Sequence, residues 1–309
     1  MESYERAPRF DVQASLERVP GVSNVRRDER SSDYFAWIEQ NLSPATQEVV
    51  HENYDAVNVH RYSYLSDGLT IDGFIWTPKE LSTPLPLVVW NRGGTQDFGS
   101  TASNGTRPFI GTAPEMAKRG HVVIGSEYRG AGGHEGKDEY GGADLNDVVR
   151  VKEIGEQLPM VKHQEKVMVV GESRGGLMSY LLAAREPWVK GIVTLGSVSD
   201  VSAWLPERDD MAKIFQEAFG GTVEEMQKRS AVHFYQDIPK DLPILLMHGS
   251  KDEAVSVEHS RKLFELLRES GHTVEYHEFP DGKHTFYWPD SPYKDAAITA
   301  IEQFFKKHE

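Results

Sequence analysis

Cysteine is absent from all 309 residues, which excludes disulfides, thiol nucleophiles and cysteine-bound metals and fits a reducing compartment. Positive charge is scarce: 34 Lys and Arg against 48 Asp and Glu give a net charge of −14. No local Lys/Arg run offsets it, so a phosphate backbone would be repelled and nucleic acid is not an expected partner. Long greasy runs are missing as well. The longest, such as Leu85 to Trp90, are far too short to cross a bilayer, and the opening Met1-Glu2-Ser3-Tyr4-Glu5-Arg6 is not followed by the apolar core of a signal peptide. No membrane association and a cytoplasmic address are expected, which would make the glycosylation-like tripeptides at Asn41 and Asn104 incidental. No His/Asp/Glu cluster has metal-ligand spacing, and the Gly-rich run Gly132 to Asp138 lacks the residues of a phosphate loop.

What is present is a 39% apolar fraction with six Trp, enough for a sizeable core. The first 56 residues are polar, with a helical pattern around Tyr34 to Leu42, and read as an extension packing on a main domain of residues 57–309. Val57 to Leu65 and Leu69 to Trp76 alternate as strands do and are joined by Ser66-Asp67-Gly68, which predicts an antiparallel hairpin. Short apolar runs then alternate with helical patterns: Leu85 to Trp90, His121 to Gly125, Lys166 to Val170, Gly191 to Leu195, Pro243 to Met247 and Thr273 to Phe279. That rhythm predicts a mostly parallel sheet buried on both faces by helices. Residues 197–241 interrupt it with two amphipathic helical stretches, read as a small helical cap above the edge where open α/β sheets bind ligands.

Gly171-Glu172-Ser173-Arg174-Gly175 lies between a predicted strand and a predicted helix. By composition, a G-x-S-x-G pentapeptide turns up in roughly one chain of this size in ten, so the strand-to-helix setting gives it weight. A serine hydroxyl needs a base, and the base needs an orienting carboxylate. Asp252 and His284 follow in that order, 252 − 173 = 79 and 284 − 252 = 32 residues on, each in a loop after a predicted strand. Glu253 is the alternative acid. A tetrahedral intermediate also needs oxyanion donors. The backbone N–H of Arg174 is the first candidate; the loop after Leu85 to Trp90 offers the N–H of Gly93 or Gly94, or the Arg92 guanidinium. Arg92 and Arg174 have two readings, a substrate carboxylate or an ion pair with an acid such as Glu172, and Arg129 has Asp144 or Asp147. Trp204, Phe215, Phe219 and Phe234, with Phe286 and Trp288 beyond His284, are candidates for a pocket lining or for core.

Glu127-Tyr128-Arg129-Gly130, Gly141 to Val148, the serine pentapeptide, His248 to Asp252 and Gly282-Lys283-His284 together resemble the catalytic domain of prolyl oligopeptidase-type serine hydrolases. The likeness runs from about Val57 onward. It implies an α/β-hydrolase fold without a cofactor, with Ser173 as nucleophile, His284 as general base and acid, and Asp252 as the orienting acid. In those enzymes a tyrosine stands where this chain has Arg92. They also screen peptides with an N-terminal β-propeller, for which the segment before Val57 is too short. The sequence reading therefore ranks small carboxylic esters first as substrates, with short peptides or aminoacyl amides second. Acyl transfer to another acceptor and non-catalytic binding come behind, and oligomeric state is left open.

Overall fold

The computed structural model describes residues 10–101 and 105–308; Met1 to Arg6 and Asn104 lie outside the described residues. The chain begins with α1 (Val12–Glu17), β1 (Val22–Arg27), α2 (Ser32–Asn41) and α3 (Pro44–Ala56). The hairpin β2 (Val57–Ser66) and β3 (Leu69–Pro78) follows, then β4 (Leu87–Asn91), α4 (Thr112–Lys118), β5 (Val122–Ser126) and α5 (Leu145–Glu156). The central unit is β6 (Val167–Glu172), α6 (Arg174–Arg185) and β7 (Val189–Leu195). Four helices come next: α7 (Val201–Trp204), α8 (Asp209–Phe219), α9 (Val223–Lys228) and α10 (Ala231–Phe234). The chain closes with β8 (Ile244–Gly249), α11 (Glu258–Glu269), β9 (Val274–Phe279) and α12 (Lys294–His308).

The strands form one sheet in the order β1-β2-β3-β5-β4-β6-β7-β8-β9. Pairing is antiparallel from β1 to β5 and parallel from there to β9. Every residue of β4, β5, β6 and β8 is buried, which is why these strands read as unbroken apolar runs. Helices cover both faces. One core layer takes α5, α6, α11 and the first helix, through Leu16, Val151, Leu177 and Leu263; the other takes α3, α4 and α12, through Val50, Met116 and Phe304. This is the α/β-hydrolase architecture.

The N-terminal segment differs in kind from the expected extension. β1 pairs with β2, with an irregularity between Ser23 and Arg26, and becomes the edge strand of the main sheet. Val12, Leu16 and Val19 sit in the same core layer as the central strands. Among the described residues, no helix is long and apolar enough to cross a membrane.

Candidate active site

Parallel strands all deliver their C-terminal ends to one edge, so the loops after β4, β6, β7, β8 and β9 meet there. Ser173 stands between β6 and α6 with φ +54 and ψ −119. For a residue with a Cβ this backbone costs on the order of 1–3 kcal/mol, and it persists only where the surroundings impose it. They do so by close approach: a Cβ on Gly175 would run into the carbonyl oxygen of Asn91, and one on Gly171 into that of Gly175. The Ser173 N–H donates to the Leu195 carbonyl at 2.7 Å, tying the turn to the end of β7. Ser173 occupies the N-cap position of α6, yet its hydroxyl makes no capping bond, whereas Ser31 and Ser43 cap α2 and α3 in the ordinary way. The residue is partly buried.

His284 follows β9 and is 26% exposed; its Nδ1 lies 2.7 Å from Oδ2 of Asp252, whose side chain is fully buried. The other carboxylate oxygen accepts from the N–H groups of Ala254 and Val255, both at 2.9 Å. His248 is buried at the end of β8, with Nε2 3.0 Å from the Val255 carbonyl and 3.2 Å from Asp252 Oδ2, and Nδ1 2.7 Å from Ser260 Oγ. Because Nε2 faces two acceptors, the network assigns the proton to it and leaves Nδ1 to accept from Ser260. Burial pushes the Asp252 carboxyl up. The bonds from His248 and His284 and the Val255 amide outweigh that and hold it well below the usual carboxylate range. Glu253 is exposed, and His284 is bonded to Asp252 instead.

Gly196 links this pair to Ser173. It follows Leu195, the residue bonded to the Ser173 amide, and a Cβ on it would lie 3.1 Å from Asp252 Oδ2 and 3.2 Å from His284 Nδ1. On the other side, a Cβ on Gly93 would lie 3.1 Å from Ser173 Cβ. Ser173, Asp252, His284, Gly93 and the start of α6 at Arg174 are thus gathered at one edge. The sequence contained no sign that Gly196 would join them, because its role depends on the β6–β7 register.

The guanidinium-donor reading of Arg92, the substrate-carboxylate reading of Arg92 and Arg174, and the pocket reading of Phe286 and Trp204 are overturned by the structure. Arg92 is fully buried, with its guanidinium bonded to the carbonyls of Glu127 (2.8 Å), Gln96 (2.8 Å) and Gly93 (3.0 Å) and 3.3 Å from the Glu127 carboxylate. Its donors hold the loop together and are not offered to an oxyanion or to a substrate carboxylate. Arg174 is 2% exposed and pairs with Asp138 (2.6 Å) and Asp144 (2.7 Å), not with Glu172 or an incoming anion. Arg129 pairs with Asp147 at 2.7 Å. Glu172 is itself buried, accepting from Thr112 Oγ1 at 2.7 Å and the Thr112 amide at 3.0 Å. Phe286 is core, stacked on Phe279 under the sheet, and Trp204 is buried against Phe215 with its Nε1 on the Ala254 carbonyl. Phe219 is covered by Arg229 at 4.2 Å, and Trp288 carries Arg107 on its ring at 5.1 Å. Among the described residues, no group of three His, Asp or Glu is placed to hold a metal ion. A cavity of about 170 Å³ beside Leu87, His121, Lys190 and Phe305 opens at the strand starts, away from all of these groups.

Fold and edge geometry define an α/β-hydrolase with a partly buried, strained serine at the turn between β6 and α6. Residues 109–308 match the model of the prolyl oligopeptidase family, and the chain belongs to that family of serine hydrolases. It is 32% identical over 235 residues to the uncharacterized peptidase YtmA of Bacillus subtilis, covering 74% of this chain and 87% of that one. It is also 23% identical over 332 residues to the esterase LipC of Mycobacterium tuberculosis, covering 94% of this chain and 79% of LipC. Among solved structures, the acylaminoacyl peptidase of Pyrococcus horikoshii superposes with a TM-score of 0.68 at 19% identity. That match covers 84% of this chain but 43% of the larger protein, so it speaks for the fold.

Proposed function

We propose that the protein is a serine peptidase acting on short peptides or aminoacyl amides, through an acyl-enzyme on Ser173. The observation that carries this reading is Ser173, strained, partly buried and with a hydroxyl that caps nothing, at the same sheet edge as a histidine bonded to a buried carboxylate. His284 takes the Ser173 proton as the hydroxyl attacks the carbonyl carbon. Asp252 holds the imidazole in the tautomer with Nδ1–H and stabilises the imidazolium. The tetrahedral oxyanion receives the backbone N–H of Arg174 and that of Gly93, whose neighbour Gly94 is the alternative. His284 then returns the proton to the leaving amine, which departs as the C–N bond breaks. Water, deprotonated by His284, releases the acid and restores Ser173.

Membership of a peptidase family and the likeness to YtmA favour amides over the esters ranked first from the sequence. Carboxylic esters form the second reading, favoured by the likeness to LipC. The test is turnover of aminoacyl and dipeptidyl anilides beside short-chain p-nitrophenyl esters, with Ser173→Ala as the control. Anilide turnover that vanishes in the control is expected. Ester turnover with no detectable anilide cleavage would reverse the order, and failure of a serine-directed phosphonate to label Ser173 would remove the hydrolytic reading altogether.

A further inference from the structure

The Arg174 guanidinium occupies the centre of a buried assembly that the mechanism above leaves unused. NH1 donates to the Gly94 carbonyl at 3.3 Å and to Asp138 Oδ2 at 2.6 Å; NH2 reaches Asp138 Oδ1 at 2.6 Å and Asp144 Oδ2 at 2.7 Å. The same Asp138 oxygen accepts from the Gln96 amide at 3.1 Å. One side chain thereby ties the loop carrying Gly93 and Gly94 to the helix whose first amide is its own. The guanidinium also lies 4.1 Å from the Tyr140 ring and 4.8 Å from the Tyr128 ring. Tyr128 also faces Arg92 at 5.2 Å and donates its hydroxyl to the Arg92 carbonyl at 3.3 Å.

The assembly continues toward the helices between β7 and β8. Tyr140 packs edge-on against Phe215 of α8 at 4.9 Å, and the neighbouring Glu139 carbonyl accepts from Arg229, just past α9, at 2.9 Å. Loop 138–144 is therefore clamped from one side by the serine turn and from the other by the inserted helices.

We infer that Arg174 is a positioning residue with two parts: its backbone amide is one oxyanion donor, and its side chain fixes the second donor loop at the correct distance while coupling it to the α8–α9 helices. The inference rests on the proposed hydrolytic role of Ser173. A guanidinium suits the task because it stays charged and its fork binds two carboxylates and a carbonyl at once, which a lysine cannot do. Displacing a donor by even a fraction of an ångström removes stabilisation that exists only in the transition state, so the signature is a fall in kcat with little change in KM.

The experiment begins with wild-type protein labelled on Ser173 by a phosphonate. If that labelling is absent, the hydrolytic reading fails and takes this inference with it. With labelling in place, Arg174→Met, Arg174→Lys and Asp138→Asn are compared for kcat, KM and affinity for a boronic acid, which mimics the tetrahedral intermediate. Arg174→Met and Asp138→Asn are expected to lose about 100-fold in kcat, in the range of a lost oxyanion donor. KM should stay within about threefold, boronate affinity should fall with kcat, and lysine should restore only part. Should Arg174→Met fail to fold, Asp138→Asn, which keeps the guanidinium on Asp144, carries the same test. A raised KM with unchanged kcat, or unchanged boronate affinity in the folded variants, overturns the positioning role. For the coupling, Phe215→Ala is combined with Asp138→Asn: effects on kcat that are less than multiplicative support a shared path, and strictly multiplicative ones refute it.

Discussion

The two flanks of Ser173 are built from opposite chemistry. On the β8–β9 side stand two imidazoles and a single carboxylate, with His284 partly open to solvent. On the β4 side, Arg92, Arg174, Glu127, Asp138 and Asp144 form a closed assembly of guanidinium and carboxylate in which the arginines are fully or almost fully buried. The proposed proton transfer calls for a group that can take up a proton and give it back, which an imidazole can do. Holding amides in place needs groups that never change charge, and arginine supplies those. Burial pushes the Asp144 carboxyl up, the second of two carboxylates sharing one guanidinium, so the cation is the fixed member of that trio.

That contrast can be broken most severely on the imidazole side. His284→Ala should reduce turnover on the order of 10⁵–10⁶-fold while changing the melting temperature far less, because a partly exposed ring at the end of a loop contributes little packing. Steady-state kinetics and a thermal scan on the same sample check both halves. Next, Asp252→Asn should lower kcat by roughly 10⁴-fold by offering the imidazole the wrong tautomer, with KM little altered.

The arginine side should fail in the reverse manner. Arg92→Met strands the buried Glu127 carboxylate and should cost about 3–5 kcal/mol in denaturant unfolding, and adding Glu127→Gln should recover part of it. An equal loss in single and double variants would mean that the pair's charge is immaterial. The smallest effect belongs to His259, whose Nδ1 accepts from the amides of Ser199 and Asp200 at 3.4 and 3.3 Å. Burial, aided by His248 and Lys262 and opposed by Asp200 and Asp252, lowers its pKa from 6.5 to about 4. A folded pKa below the unfolded one gives stability that is present above pH 6.5 and is lost as pH falls toward 4. The loss should be on the order of 3 kcal/mol, since each unit is about 1.4 kcal/mol. His259→Gln should flatten the stability–pH curve across that window.

The imidazole side was legible in the sequence because each member sits just past an apolar strand, and chain order does the rest. Asp252 and His284 needed only the count of strands to place them at one edge. The arginine side was not. Arg174 finds Asp138 and Asp144 some 30 residues away, and Arg92 finds Glu127, through a loop geometry that no periodicity encodes. For both arginines an acidic partner was one of the two readings, but which acid it would be was invisible. β1 escaped for another reason. Val22-Ser23-Asn24-Val25-Arg26-Arg27 has two apolar residues, none of them fully buried, and gains its strand character from pairing with β2. Phe286 and Trp204 show the limit of aromatic spacing, which marks a buried face without saying whether that face meets ligand or protein.

β1 decides what stands at the antiparallel border of the sheet. β2 offers ten residues of regular strand, and bare it would be a long template for any passing chain. The strand that covers it is short, broken in register between Ser23 and Arg26, and ends in Arg26 and Arg27, so the outermost edge is uneven and carries charge. An uneven, charged border is a poor surface on which a second copy could continue the sheet. Proteolytic removal of residues 10–30 should therefore bare the β2 edge and show itself first as turbidity.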